Sequence, residues 1–365
     1  MENRTRVLSL DLARGMGALG MVAVHVLIRY GSYAANQSAY GVVVLFLGGP
    51  PAAPVFLFLI GTSLAFSKHA TLRDNLWRGA KLLVLGYVLN FLRGTLPAFL
   101  GLKLGILQRE ALRPYTPENL FWIVDVLHCA GLSLMVIGVV RRLLPRPWTW
   151  LLLSAAVALG SPVMWGRMSG WPLLDGCLAL LWGTSVTAQF PALPWISYPL
   201  TGMAFGVWLA ASADRDALFR RAAGVGALLL LAGGLLILDR PTFHIGDYFH
   251  SGPGAVIAFT GFALVWLAVC QWLVKHIRVN AFFRLCYDWS ARITLFFVVH
   301  WIIIGWGIGL AGHTQHGIPM LVFLTVAVLV LTDTLVRQVV AEGRHSGLAQ
   351  PGVSLTAEIV ENVRK

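Results

Sequence analysis

Apolar residues along this chain come in long blocks, not in the alternation of a half-buried strand. Val42–Phe66, Leu82–Phe99 and Met320–Leu331 hold few or no charges. A helix needs about 20 apolar residues to cross a hydrocarbon core of about 30 Å. The blocks predict membrane helices at about 7–28, 41–67, 79–99, 118–140, 147–166, 195–212, 218–238, 253–274, 291–311 and 317–337. The expected fold is therefore all-α: a polytopic transmembrane bundle of about ten helices over residues 1–340, followed by a polar tail over 341–365.

Two blocks depart from a simple span. The second helix contains Gly48, Gly49, Pro50, Pro51 and Pro54. Proline removes a helix hydrogen bond and clashes with the preceding turn, so this span is expected to be broken. Trp171–Thr187 is apolar, but a full span there would invert the charge pattern that follows. It reads as a re-entrant segment, tolerated where it is buried in protein or lines a wet cavity. An eleventh helix is the alternative.

Composition agrees. The 365 residues are 57% hydrophobic and 12% charged, about half the charge of an ordinary soluble domain. The net charge of +12 does not signal nucleic acid, because no basic stretch is interleaved with aromatics on a polar face. Lys and Arg instead collect in alternate connections. One set holds Arg4 and Arg6; Lys68, Arg73, Arg78 and Lys81; Arg141, Arg142 and Arg146; Arg215, Arg220 and Arg221; Lys275, Arg278, Arg284 and Arg292; and Arg337, Arg344, Arg364 and Lys365. The other set is sparser: Arg29, Arg93, Lys103, Arg109, Arg113, Arg167 and Arg240. That asymmetry places both termini in the cytoplasm of a plasma (inner) membrane. Cys129, Cys177, Cys270 and Cys286 form no CxxC pair, so neither zinc nor a disulfide framework is indicated. The first apolar stretch contains Asp11, Arg14 and His25, which a cleaved signal sequence would avoid.

Ionisable groups inside a membrane are costly, so each is a candidate for function. Asp11 and Arg14 are neighbours on one helical face. Arg14 and His25 are three turns apart on a shared face, roughly 16 Å along the axis. A phosphate-bearing donor held by basic groups at one surface could extend its reactive end to His25, the natural general base near neutral pH. An interfacial Asp–Arg pair and a helix-tying histidine would account for the same residues.

Ser9-Leu10-Asp11-Leu12-Ala13-Arg14-Gly15 followed by His25 resembles the Arg-x10-His signature of transmembrane acyltransferases. Pro54-Val55-Phe56-Leu57-Phe58-Leu59-Ile60-Gly61-Thr62-Ser63 points to the heparan-α-glucosaminide N-acetyltransferase-like family. So do Phe190-Pro191-Ala192-Leu193-Pro194-Trp195 with Gly202 and Gly206, and, less specifically, Asp125–His128 and Phe297–His300. The resemblance spans most of the chain. It implies an acetyl- or other acyl-coenzyme A donor, and a sugar or glycan acceptor modified on the extracytoplasmic side. Arg14 and His25 match the signature positions. In the animal-type branch an Asn is expected where His25 stands, with the catalytic histidine further on in the outer loop. Here that loop offers Asn36 and no histidine, which weakens the case for an amino-sugar acceptor.

Asp125 and His128, at i and i+3 on the fourth helix, are a carboxylate–imidazole pair. Asp125 could orient His25 as the carboxylate of a catalytic triad does. Asn36, His128 and His300 are candidate acceptor or oxyanion contacts. Arg73, Arg78 and Lys81, with Arg14, are candidate ligands for the donor phosphates, although the positive-inside bias explains such residues too. Asp175 and the loop Asp239–His250 could grip an acceptor; the loop spacing matches no standard zinc pattern, and no metal is expected. Trp195 reads as an interfacial anchor, and Gly202 and Gly206 as a close helix contact. The leading expectation is a membrane acyltransferase, using either direct transfer or a transient acyl-histidine. A solute transporter and a catalytically silent scaffold are the alternatives; a homodimer is left open.

Overall fold

The computed structural model describes residues 6–67, 71–183 and 185–345. Lys68, His69 and most of the expected tail lie outside them. The helices run in chain order as α1 (Leu8–Tyr30), α2 (Tyr33–Gln37), α3 (Ala39–Gly48), α4 (Ala53–Leu64), α5 (Leu72–Asn90) and α6 (Leu96–Lys103). Then follow α7 (Pro117–Phe121), α8 (Val126–Leu143), α9 (Pro147–Gly160), α10 (Pro172–Leu178), α11 (Ala192–Trp195) and α12 (Ser197–Ala211). The last are α13 (Arg215–Asp239), α14 (Pro241–Ile245), α15 (Pro253–His276), α16 (Ala281–Ala291), α17 (Ile293–Ala311) and α18 (Ile318–His345). Among the described residues nine spans are long and apolar enough to cross a membrane. They coincide with nine of the ten expected. The tenth is the fifteen-residue α12, so the all-α polytopic bundle is the observed fold.

The local departures have local causes. The second span is broken, with α3 ending at Gly48 and α4 starting at Ala53 across the Gly-Pro-Pro turn. Among the described residues of 171–187 there is no spanning helix: seven-residue α10 is followed by turns. The third span starts earlier than its apolar block. Thr71 accepts from the Asp74 N–H at 3.2 Å and begins α5 at Leu72. Arg73, Arg78 and Lys81 therefore stand on a helix, not in a loop. After Asn90 the helix loosens into a π turn over Phe91–Thr95 before α6. Helix α18 runs to His345, beyond the expected end of the helical domain.

The chain forms two compact units. The first comprises residues 1–52, 92–111 and 270–365. Its centre is α1, whose glycines allow close neighbours. A Cβ at Gly15 would collide with the Cys286 backbone of α16, and one at Gly20 with the Leu47 carbonyl of α3. Ser32 N–H donates to the His316 carbonyl (2.9 Å) and Tyr30 Oη–H to the Ile304 carbonyl (2.8 Å), tying the end of α1 to the loop before α18 and to α17.

The second unit comprises residues 53–91 and 112–269. Here α4 packs on α12 as the Gly-xxx-Gly spacing predicts: a Cβ at Gly202 would strike the Phe58 carbonyl, and one at Gly206 the Thr62 carbonyl. Small residues of this kind let membrane helices approach without a hydrophobic driving force. Helices α5 and α8 meet through Gly79 and Gly131 in the same way. Ser154 Oγ–H donates to the Ser197 carbonyl (2.8 Å) and joins α9 to α12. Trp195 is not an interfacial anchor. It is 1% exposed, packs on Phe190 and Tyr248, and donates from Nε1 to the Phe249 carbonyl (2.7 Å).

Candidate active site

The first turns of α1 carry a compensated charge. Arg14 donates to Ser290 Oγ on α16 (3.1 Å), and Ser290 donates to Asp11 Oδ1 (2.8 Å). Arg14 also stands 3.5 Å from Asp11 Oδ1, and Arg6 donates to Asp11 Oδ2 (2.8 Å). The i, i+3 neighbours seen in the sequence are thus joined, with Ser290 as a bridge the sequence did not reveal. This cluster fixes α1 against α16.

Three turns further on, α1 presents His25. Its Nδ1 lies 2.9 Å from Nε2 of His300 on α17. Nδ1–H of His300 donates to the Phe296 carbonyl one turn back (3.0 Å). The two imidazole planes differ by 7° with centroids 5.2 Å apart. That is the spacing of rings meeting edge to edge through one in-plane hydrogen bond. The Trp301 indole lies against His25, with ring centroids 4.0 Å apart. Arg93 Cζ stands 4.2 Å from the centre of the same indole, and Arg29 Cζ 5.6 Å. Arginine against an indole face is an attractive cation–π arrangement. His25 is half-buried, while His300 is fully buried.

Arg29 and Arg93 went unnoticed as site residues. Arg29 follows His25 by one turn, and Arg93 interrupts an otherwise apolar block, so the cost of charge at membrane depth was the available signal. The π turn that carries Arg93 was not foreseeable. Such turns recur at functional sites.

Asn36 is occupied locally: its amide donates to the Gly31 (3.2 Å) and Ser32 (3.0 Å) carbonyls, closing the chain after α1. Arg14, His25, Asn36 and His300 all belong to the first unit.

Asp125, His128, Arg73, Arg78 and Lys81 belong to the second. Asp125 is the N-cap of α8, not a residue within it. Its carboxylate accepts from the Leu127 N–H (2.9 Å), while its own N–H donates to His128 Nδ1 (3.1 Å). This is a reciprocal capping box with histidine in the usual place of Glu or Gln. The carboxylate also lies 3.1 Å from His128 Nδ1. The His128 ring is 0% exposed, sits edge-on to Tyr87 (4.4 Å between centroids), and has a buried Nε2 with no hydrogen-bond partner among the described residues. Gly86 makes room for it, because a Cβ there would lie 2.5 Å from the imidazole Cε1. On α5, Arg73 is exposed, Arg78 half-buried, and Lys81 Nζ 5.2 Å from the centre of the Trp77 ring.

The remaining candidates lie outside the spans. Asp175 accepts from the Ser169 N–H (2.6 Å), the Ser169 hydroxyl (2.8 Å) and the Gly170 N–H (3.1 Å). These donors, the Ser169 N–H first, hold its carboxyl below the usual range. In the loop after α13, Asp247 accepts from His250 Nδ1–H (2.7 Å), which lowers the carboxyl in the same sense. His244 Nδ1 accepts from the Gly254 N–H (3.0 Å) and closes the loop onto α15.

Among curated proteins, none matches the sequence. A family model does: heparan-alpha-glucosaminide N-acetyltransferase, catalytic, over residues 6–238. The matched region carries Arg14, His25, Asn36, Asp125 and His128, and stops short of His300. Since the match covers more than half of a chain whose described residues include nine helices long and apolar enough to cross a membrane, the protein belongs to the heparan-α-glucosaminide N-acetyltransferase catalytic family of membrane-embedded transferases.

Proposed function

We propose that this protein moves an acetyl or other short acyl group from cytoplasmic acyl-coenzyme A to a sugar or glycan acceptor on the far side of a bacterial inner membrane. The observation that carries the reading is the position of His25. It stands half-buried on α1, within the family-matched region, about 16 Å along one helix from Arg14. The excess of Lys and Arg in alternate connections supports cytoplasmic termini and a cytoplasmic donor site.

In this mechanism His25 takes the proton of the acceptor hydroxyl as its oxygen attacks the thioester carbonyl carbon. The new C–O bond forms and the C–S bond breaks. The leaving coenzyme A thiolate then recovers the proton from His25, which returns neutral. Arg29 and Arg93, gathered at the indole that covers His25, supply positive charge for the developing oxyanion. Arg14, held by Asp11 and Ser290, contacts the donor at its end of α1 and keeps that helix in register. Arg73, Arg78 and Lys81 are the proposed contacts to the donor phosphates. Asn36, Asp125 and His128 complete the proposed list as acceptor-side and supporting groups.

The test is turnover of acetyl-coenzyme A by purified protein, with His25→Ala and Arg14→Ala as comparisons. The reading expects acceptor-dependent release of free coenzyme A by the wild type. His25→Ala should retain donor binding and lose release. A folded wild type that neither binds nor turns over acyl-coenzyme A sinks it.

A further inference from the structure

The hydrogen bonds around His25 have a direction that the rings alone do not reveal. A carbonyl oxygen only accepts, so the 3.0 Å contact of His300 Nδ1 with the Phe296 carbonyl places a proton on Nδ1. A neutral imidazole carries one ring proton. Nε2 of His300 is therefore a bare acceptor. The atom 2.9 Å from it is Nδ1 of His25, which must be the donor. His25 then carries its own proton on Nδ1 and has a bare Nε2.

We infer that His300 is a positioning residue that fixes His25 in the Nδ1–H tautomer, so that Nε2 is the atom that takes the acceptor's proton. The geometry around the pair fits. The near-coplanar rings, 7° apart, suit one in-plane hydrogen bond. Trp301 lies against the imidazole face at 4.0 Å, so that a rotated ring would lose both contacts. The charged groups at this indole are Arg29 and Arg93. None of the bonds that define the tautomer needs a carboxylate. When Nε2 accepts a proton, the Nδ1–H bond to His300 becomes charge-assisted and shorter. The Phe296 carbonyl dipole backs it through the second ring. A carboxylate would hold the same tautomer, but a neutral partner avoids burying another ion among helices that face lipid. His300 lies beyond the family-matched residues 6–238, so nothing in that match assigns it.

The kinetic part rests on the acyl-transfer reading; the tautomer does not. The experiment uses the full chain in nanodiscs with ring-15N histidine, the His25 signals being assigned by their loss in His25→Phe. Wild type should show His25 as Nδ1–H. His300→Phe should lose the fixed tautomer. It should also lower kcat about 10–100-fold, by analogy with the cost of removing the partner that orients a metal-bound imidazole, with KM for acetyl-coenzyme A within about twofold. His300→Gln should keep the tautomer and most of kcat, since its amide can donate to Phe296 and accept from His25. An Nε2–H His25 in an active wild type overturns the inference alone. So does an unchanged kcat in folded His300→Phe, or a His300→Gln as slow as the phenylalanine variant. The stated tautomer in a wild type that turns over no acetyl-coenzyme A overturns its catalytic half together with the acyl-transfer reading.

Discussion

Two histidines of this protein each meet a partner through Nδ1, and the partners differ in kind. His128 meets the residue three positions before it, inside one capping box, where Asp125 closes the start of α8. His25 meets a residue 275 positions away on another helix. The first pair is local, fully buried and repeated in logic at many helix ends. The second is made by tertiary packing, is only half-buried at His25, and has an indole with two arginines beside it. A carboxylate next to a histidine in the sequence is thus the natural place to look for a catalytic pair. In this chain it is also the place where helix capping explains the same two residues. The reactive candidate is the histidine whose partner the sequence does not announce.

Substitutions can separate the two pairs. The largest effect belongs to His25→Ala, which should lower acyl transfer about 10²–10⁴-fold; by leaving Nε2 of the buried His300 without its donor it should also cost about 1–3 kcal/mol of stability, too little to account for the lost turnover in protein that is still folded. Gly86→Ala attacks the other pair by pushing a methyl group into the His128 ring. Overpacking of this kind costs about 1–3 kcal/mol and should appear as a lower melting temperature. Asp125→Ala removes a cap and should cost about 1 kcal/mol. Asp125→Asn is the sharper probe, because asparagine caps as well as aspartate. If Asp125 serves only α8, the Asn variant keeps both stability and turnover; a large loss of kcat at unchanged stability would make Asp125 part of the chemistry.

A third pair, Asp247 with His250, gives the smallest effect. The hydrogen bond from His250 holds the Asp247 carboxyl below its ordinary 3.8. A lowered folded value contributes stability above the unfolded pKa and loses it as pH falls through the folded one. Asp247 is half-exposed, so solvent screens the gain. Asp247→Asn should lower the melting temperature slightly at pH 7, and the difference from wild type should begin to shrink as pH falls below 3.8 and vanish once the lowered folded value is passed. A difference that persists there would mean that the loop is held by shape, not by charge.

Much of the bundle was legible because span length and apolar blocks are set by the bilayer itself. The break at Gly48–Pro51 was written in proline chemistry, and a close helix contact, though not its partner α4, in the spacing of Gly202 and Gly206. Three features were not read. The early start of α5 was present as Thr71 and Asp74 but hidden by the basic residues around it. The amphipathic α16, which supplies Ser290 to Arg14, is too short for a span and looked like a connection. The pairing of His25 with His300 depends on how α1 and α17 pack, and neither helix encodes its partner. The sequence did mark both histidines as costly at membrane depth, though not what they do for each other.

Arg14 and His25 are carried by one uninterrupted helix, whose rise per residue cannot be adjusted by a loop. On the proposed reading α1 is a gauge. A donor anchored near one mark must have an arm long enough to reach the other, whatever acyl group it bears. Truncated thioesters that keep the reactive carbonyl but lack the nucleotide would be free of the anchor and should be poor donors even at saturating concentration. Acyl chains that differ only beyond the carbonyl would be measured against the same fixed length, so the helix would sort donors by their handle before the pocket sorts them by their cargo.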